Sequence, residues 1–167
     1  MTTQPQGFTL IELITVMAVT VVLLGLGIPS FSNFIASSRS TTEYRELTKA
    51  LGVARSEAIT RATTVNISAL SGSDWEQGYR IWIDSNTNGD YDAGEELREF
   101  ASFASDADMS VTNNTTNFQF TSEGFLNAAA GTEFVFSFRT SPEYCSRDRN
   151  IRLKHTGHVS VEERACP

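Results

Sequence analysis

Two stretches of the chain carry side chains spaced for chemistry. From Asp84 to Glu95 the sequence reads DSNTNGDYDAGE, with oxygen donors on Asp84, Asn86, Asn88, Asp90, Asp92 and Glu95 and a glycine, Gly89, in the sixth position. That is the spacing of a calcium loop, where hard oxygen ligands wrap the ion and glycine makes the sharp turn. Such a loop is entered by a helix, whereas the flanking GYRIWID and ELREFAS read as a strand and its return. A long hairpin connection, with Asn-Gly and Asp serving turn geometry, is therefore the competing reading. Calcium is the one cofactor the sequence suggests.

The second stretch lies near the C-terminus. Between Arg139 and Arg164 six basic residues stand against four acidic ones, while the rest of the chain holds 7 basic and 16 acidic residues within a net charge of −7. Arg147, Arg149, Arg152 and Lys154 are thus the candidate contacts for phosphate, and a solvated strand face with scattered charge is the alternative. The overall acidity argues against a general nucleic-acid binder. Cys145 and Cys166 can pair with each other, stay as free thiols or share a metal, but no further ligand cluster joins them. The histidines, His155 and His158, fall three apart in a strand and turn context that tends to put them on opposite faces. No third ligand or general base joins them at recognisable spacing, serines are plentiful but residue types alone do not define a Ser/His/acid triad, and the chain reads as non-enzymatic.

The elements that must carry these residues are legible from periodicity. Phe8 to Ile28 is an apolar run of 21 residues with Glu12 as its only charge. As a helix it is ~31 Å long, close to the roughly 30 Å hydrocarbon core of a bilayer. The preceding MTTQPQ has no Lys or Arg, unlike the basic start of a secretory signal. Glu12 lies near the end of the run, where it can snorkel to the headgroups. Further on, Leu47, Ala50, Leu51, Ala54 and Ala58 share one helical face, with Glu43, Glu46, Arg55, Glu57 and Arg61 mostly off it, so the helix is expected to continue to about Arg61. Gly25, Gly27 and Pro29 mark where it can bend or lose helix. From Thr64 short β-like runs take over: VNISAL, GYRIWID, ELREFAS, MSVT, NFQFTS, EFVFSFR, NIRLKH and HVSV. Phe118 and Phe120, and Phe134, Phe136 and Phe138, alternate at period two, which predicts one buried face per strand.

The stretch GFTLIE at residues 7–12, followed by the apolar run and Pro29, resembles the prepilin signature of type IV pilins and type II secretion pseudopilins. LTKALGVARSEAITRATTV resembles the matching helix of FimT/FimU minor pilins and H-type pseudopilins. The resemblance implies cleavage between Gly7 and Phe8, N-methylation of Phe8, and pairing of Glu12 with a neighbour's terminal amine during assembly. It implies an α+β, type IV pilin-like fold, with a long N-terminal helix packed on an antiparallel β-sandwich. The expected parts are a leader at 1–7, a membrane and polymerisation helix at 8–29, an amphipathic helix at 30–62 and a β-rich periplasmic head at 63–167.

On this reading the chain is stored in the bacterial inner membrane and then enters a pilus, where it primes assembly at the tip. Its implied partners are other minor pilins and the major pilin, a prepilin peptidase and an inner-membrane assembly platform. A secretion pseudopilus and a DNA-uptake pilus are the alternatives. The Gly-Arg-x-Arg motif of DNA-binding relatives is replaced here by Gly157, His158, Val159 and Ser160, which disfavours DNA. A head facing the periplasm favours the Cys145–Cys166 disulfide, since disulfides persist there.

Overall fold

A computed structural model of the chain describes residues 7–105, 107–141 and 144–166, with the side chains of 25–30 and 32–33 outside the description. The expected leader therefore lies outside the described residues except for Gly7. The chain divides into two compact units, Met1–Ser38 and Arg39–Pro167.

Helix α1 runs over Leu10–Arg61 and contributes to both units. It is helical through Gly25, Gly27 and Pro29, so no loss of helix occurs there; one proline removes a single donor, and α1 continues on both sides of it. In the first unit the large apolar side chains from Phe8 to Leu24 are between 53% and 92% exposed. Among the described residues, no helix is long and apolar enough to cross a membrane. The apolar run read from the sequence extends into residues 25–28, whose side chains are not described.

The second unit holds the core. Leu47, Ala50, Leu51, Ala54 and Ala58 are all fully buried, as their spacing predicts. Glu43 differs from the expectation, being buried on the same helix: its carboxylate accepts bonds from the Ser105 N–H at 2.9 Å and the Ser105 hydroxyl at 2.5 Å, which replace lost water. The helix ends in a Schellman motif, with Thr63 N–H donating to Ala58 O and Ala62 N–H to Ile59 O. Ala62 takes the left-handed conformation, φ 51°, that glycine usually fills in this motif.

Among the described residues eight strands follow, and every β-like run in the sequence corresponds to one of them. They are β1 (Val65–Ala69), β2 (Tyr79–Trp82), β3 (Glu96–Phe100), β4 (Asp108–Val111), β5 (Asn117–Phe120), β6 (Glu133–Arg139), β7 (Arg149–Lys154) and β8 (Val159–Glu163). They form two antiparallel sheets, ordered β3-β2-β1-β5 and β4-β6-β7-β8. Phe118 and Phe120 of β5 and Phe136 and Phe138 of β6 are buried on alternate positions, while Phe134 at the start of β6 is half-buried.

Trp75, in a short 3-10 turn before β2, sits where the two sheets meet. Its ring packs edge-on against Phe136 at 5.2 Å and lies 5.5 Å from Phe118, and its indole N–H donates to Thr115 O at 2.9 Å. Tyr44 of α1 meets Phe138 edge-on at 6.0 Å, so helix and both sheets share one core. Burying each such side chain stabilises the unit by roughly 1.5–3 kcal/mol.

Candidate functional site

At the start of α1 the backbone needs partners, because the first N–H groups of a helix have none within it. Thr9 and Glu12 supply them reciprocally. The Glu12 carboxylate accepts from the Thr9 N–H and from the Thr9 hydroxyl, both at 2.8 Å, and the Thr9 hydroxyl oxygen accepts from the Glu12 N–H at 3.3 Å. This is a capping box, Thr at the N-cap and Glu three residues on. Phe8 stands just before it, 92% exposed, and Gly7 has open space around it. Sequence reasoning singled out Glu12 but missed Thr9, although Thr-x-x-Glu before an apolar run is itself a helix-start signal.

Near the C-terminus, a disulfide and a buried ion pair are among the links that hold the tail to the head. Cys145 and Cys166 are bridged, with Cα atoms 5.7 Å apart. Beside them Asp148 is fully buried: Oδ1 accepts from the Thr140 N–H at 2.9 Å and the Thr140 hydroxyl at 3.1 Å, and Oδ2 accepts from Arg164 at 2.8 Å. Burial by itself raises the pKa of this carboxyl. The Thr140 N–H, the Arg164 guanidinium, the Thr140 hydroxyl and the charge of Arg139 together outweigh burial and hold it below the usual aspartate range. Asp148 gave no sequence signal, because nothing local distinguishes it from a surface aspartate.

The basic residues of β7 are brought onto one sheet and largely neutralised there. Arg152 bonds Glu133 of β6 and Glu162 of β8, each at 2.8 Å. These are diagonal neighbours across the ladder, since Arg152 registers opposite Val135 and Ser160. Arg149 lies opposite Glu163 at 3.4 Å and also donates to the Ser146 and Asp148 carbonyls. Arg147 stacks over Tyr144 at 4.2 Å from the ring centre. Lys154, at the end of β7, is exposed.

The Asp/Asn loop joins β2 to β3, both strands, as the hairpin reading requires. Asp84 accepts from the N–H groups of Asn88 at 3.2 Å and Gly89 at 2.8 Å, and Glu95 accepts from Ser85 at 2.7 Å and Asp92 at 3.0 Å. Asn86 and Asn88 turn their amide N–H groups to Asp92, while Asp90 donates its N–H to the Asn88 side chain. Its carboxylates are thus engaged by the loop's own donors, apart from that of Asp90, for which no bond is seen. Among the described residues, no group of three or more His, Cys, Asp or Glu is disposed to hold a metal. Tyr91 folds back onto β2, under Arg80 at 4.0 Å and edge-on to Trp82 at 5.9 Å.

Comparison with known proteins adds to this geometry. Residues 43–157 match the family model described as type II transport protein GspH, and residues 4–28 match the prokaryotic N-terminal methylation motif. The pilin-like protein PilA1 of Thermus thermophilus is 37% identical over 93 residues, covering 55% of this chain and 56% of that protein, so the chain spans about half the length of the curated relative it matches.

Among solved structures, the type IV minor pilin FimU of Pseudomonas aeruginosa superposes with a TM-score of 0.64 and 24% identity, over 78% of this chain and 90% of that one. A second crystal form of it gives 0.61 and 25%, over 75% and 90%. The minor pseudopilin EpsH of the Vibrio cholerae type 2 secretion system gives 0.55 at 8% identity, over 75% and 97%, a likeness of fold.

Proposed function

The chain belongs to the GspH family of type II transport proteins, and from that premise we propose that it is a non-enzymatic minor pilin that enters the tip of a type IV pilus and helps prime its assembly. One observation carries the reading. The large apolar side chains from Phe8 to Leu24 are all exposed among the described residues, with one carboxylate, Glu12, near the start of α1. Exposed apolar surface on that scale needs a partner. A bilayer serves before assembly, and the helices of neighbouring subunits serve within a filament.

On this reading a prepilin peptidase cuts between Gly7 and Phe8 and Phe8 is N-methylated. Glu12 then exchanges its bonds with Thr9 for the new amine of an adjacent subunit, which sets register. A charge pair in a low-dielectric helix bundle discriminates well, because removing one partner strands the other. The head, anchored on α1 and closed by the Cys145–Cys166 clasp, offers its surface to other minor subunits.

Membership of the GspH family equally favours a second reading, a subunit of a secretion pseudopilus. The experiment that separates them is a deletion with two readouts, surface piliation and export of secreted proteins. Loss of pili with normal export supports the pilus, and the reverse sinks it. Mass spectrometry of sheared filaments tests the rest: an N-terminal peptide beginning at methylated Phe8 is expected, and one retaining Gly7 overturns the processing step.

A further inference from the structure

The apolar surface of α1 does not stop where the apolar run stops. Beyond Ile28 the sequence becomes mixed, PSFSNFIASS, and its three large apolar side chains, Phe31, Phe34 and Ile35, share one face of the helix. All three are exposed, the two rings at 64% and 69%. We infer that this face is seated in the headgroup layer of the bilayer, at the far end of the run from Glu12, while the chain is stored in the membrane. The inference deepens the reading that α1 holds the chain in a bilayer before assembly, and it rests on that reading.

The first argument is length. At the helical rise, Phe8 to Ile28 measures ~31 Å, the thickness of the hydrocarbon core, whereas Phe8 to Ile35 measures ~42 Å, matching the roughly 40–45 Å of a bilayer with its headgroups. Phe31 lies ~4.5 Å beyond Ile28 and Phe34 ~9 Å beyond it, so the two rings span the headgroup layer. The face also continues the exposed apolar side chains of Phe8 to Leu24 along the same helix, and one lipid environment serves both.

The second argument is composition. Residues 29–38 hold Ser30, Ser32, Asn33, Ser37 and Ser38 beside Phe31, Phe34 and Ile35, and no charged residue. Polar groups at that density are costly in hydrocarbon and large apolar side chains are costly in water. The boundary between the two accommodates both. Helices that bind at a membrane surface combine the same classes of side chain, with Phe and Leu turned to the acyl chains.

The third argument is direction. Side chains on a helix lean toward its N-terminus, which for α1 is the side of the apolar run. The rings of Phe31 and Phe34 are therefore drawn back toward the acyl chains while their backbone stays among the headgroups. Anchors of this kind fix the depth and tilt of a membrane helix.

The test is NMR of the full chain in bicelles of phosphatidylethanolamine and phosphatidylglycerol, with labelled phenylalanine and valine and with lipids carrying a nitroxide on the headgroup or near the chain end. The headgroup nitroxide is expected to relax the Phe31 and Phe34 rings at least twofold more than the chain-end nitroxide, and the order is expected to reverse at Val16 and Val19. Phe31→Ser combined with Phe34→Ser, a change between residues of similar helix propensity, is expected to speed amide exchange at Ala36 and Ser37 at least fivefold and to leave Val16 and Val19 unchanged. Rings relaxed by neither label, with Val16 and Val19 relaxed from the chain end, overturn the inference and leave the bilayer reading standing. Absence of chain-end relaxation at Val16 and Val19 removes the bilayer reading and the inference with it. Rings relaxed only after tenfold dilution of the protein into lipid are covered by a second copy, which overturns the inference, as does unchanged exchange in the double variant.

Discussion

Glu12 and Thr9 satisfy one another at the start of α1, the carboxylate taking both the N–H and the hydroxyl of the threonine at 2.8 Å. In the isolated chain the one charge of the apolar run is thereby occupied before any neighbour arrives. Thr9→Ala is expected to remove the hydroxyl half of this box, costing about 1 kcal/mol of helix-start stability. Hydrogen exchange in micelles should show faster exchange at Ile11 and Glu12 while the amides of Leu47 to Ala58 are unchanged. Unaltered exchange at the helix start would remove the box as a stabilising element.

The Asp148–Arg164 pair makes the head acid-sensitive. Because the Asp148 carboxyl sits below its ordinary range in the folded chain, its contribution is complete above the unfolded aspartate value of about 3.9 and is lost as pH falls through the lower, folded value. Arg164→Ala takes away one of the groups that depress it. The acid-unfolding midpoint, followed by near-ultraviolet circular dichroism, should move to higher pH, with a loss near neutrality of about 2 kcal/mol.

Reducing Cys145–Cys166 should cost roughly 3 kcal/mol in the chain-entropy model, for a loop closed over a sequence separation of 21. The Asp148–Arg164 contact still holds β8 in place. Amide exchange in β8 should therefore stay protected after reduction in the native protein and be lost when reduction is combined with Arg164→Ala.

Trp75 is a fully buried aromatic group of the core, touching Tyr79, Phe118 and Phe136. Trp75→Ala is expected to destabilise the head by about 3–5 kcal/mol, the usual range for deleting a buried large aromatic. Urea unfolding of the full chain in detergent checks this, and a loss below about 1 kcal/mol would mean that the surrounding rings close the gap.

The loop from Asp84 to Glu95 is expected to hold its shape without metal, since its own N–H and amide groups occupy most of its carboxylates. Adding millimolar calcium or a chelator should move the thermal midpoint by less than about 1 °C, whereas a tight site would raise it by several degrees through binding linkage. Likewise, labelled duplex DNA should show no micromolar binding at near-physiological salt. Arg149 and Arg152 already spend their charge on Glu163, Glu133 and Glu162.

How much of this was readable in advance depends on how local the cause is. The buried face Leu47, Ala50, Leu51, Ala54 and Ala58, the end of α1 near Arg61 and the alternating phenylalanines of β5 and β6 follow from periods of 3.6 and 2, which are properties of consecutive residues. Glu12 stood out because one charge in an apolar run is conspicuous by itself, and the two cysteines because of their number.

The partners of the charged and polar residues were decided by the tertiary structure. Arg152 looks like any strand arginine until β6 and β8 flank β7 and set Glu133 and Glu162 on its diagonals. Asp148 becomes a buried anchor only when Arg164, 16 residues away, is brought to it. Glu43, expected off the buried face, is covered because the β3–β4 connection returns Ser105 to the helix. Periodicity says which way a side chain points, while a charge is satisfied by whichever residues the folded chain sets beside it, and sequence separation does not encode that.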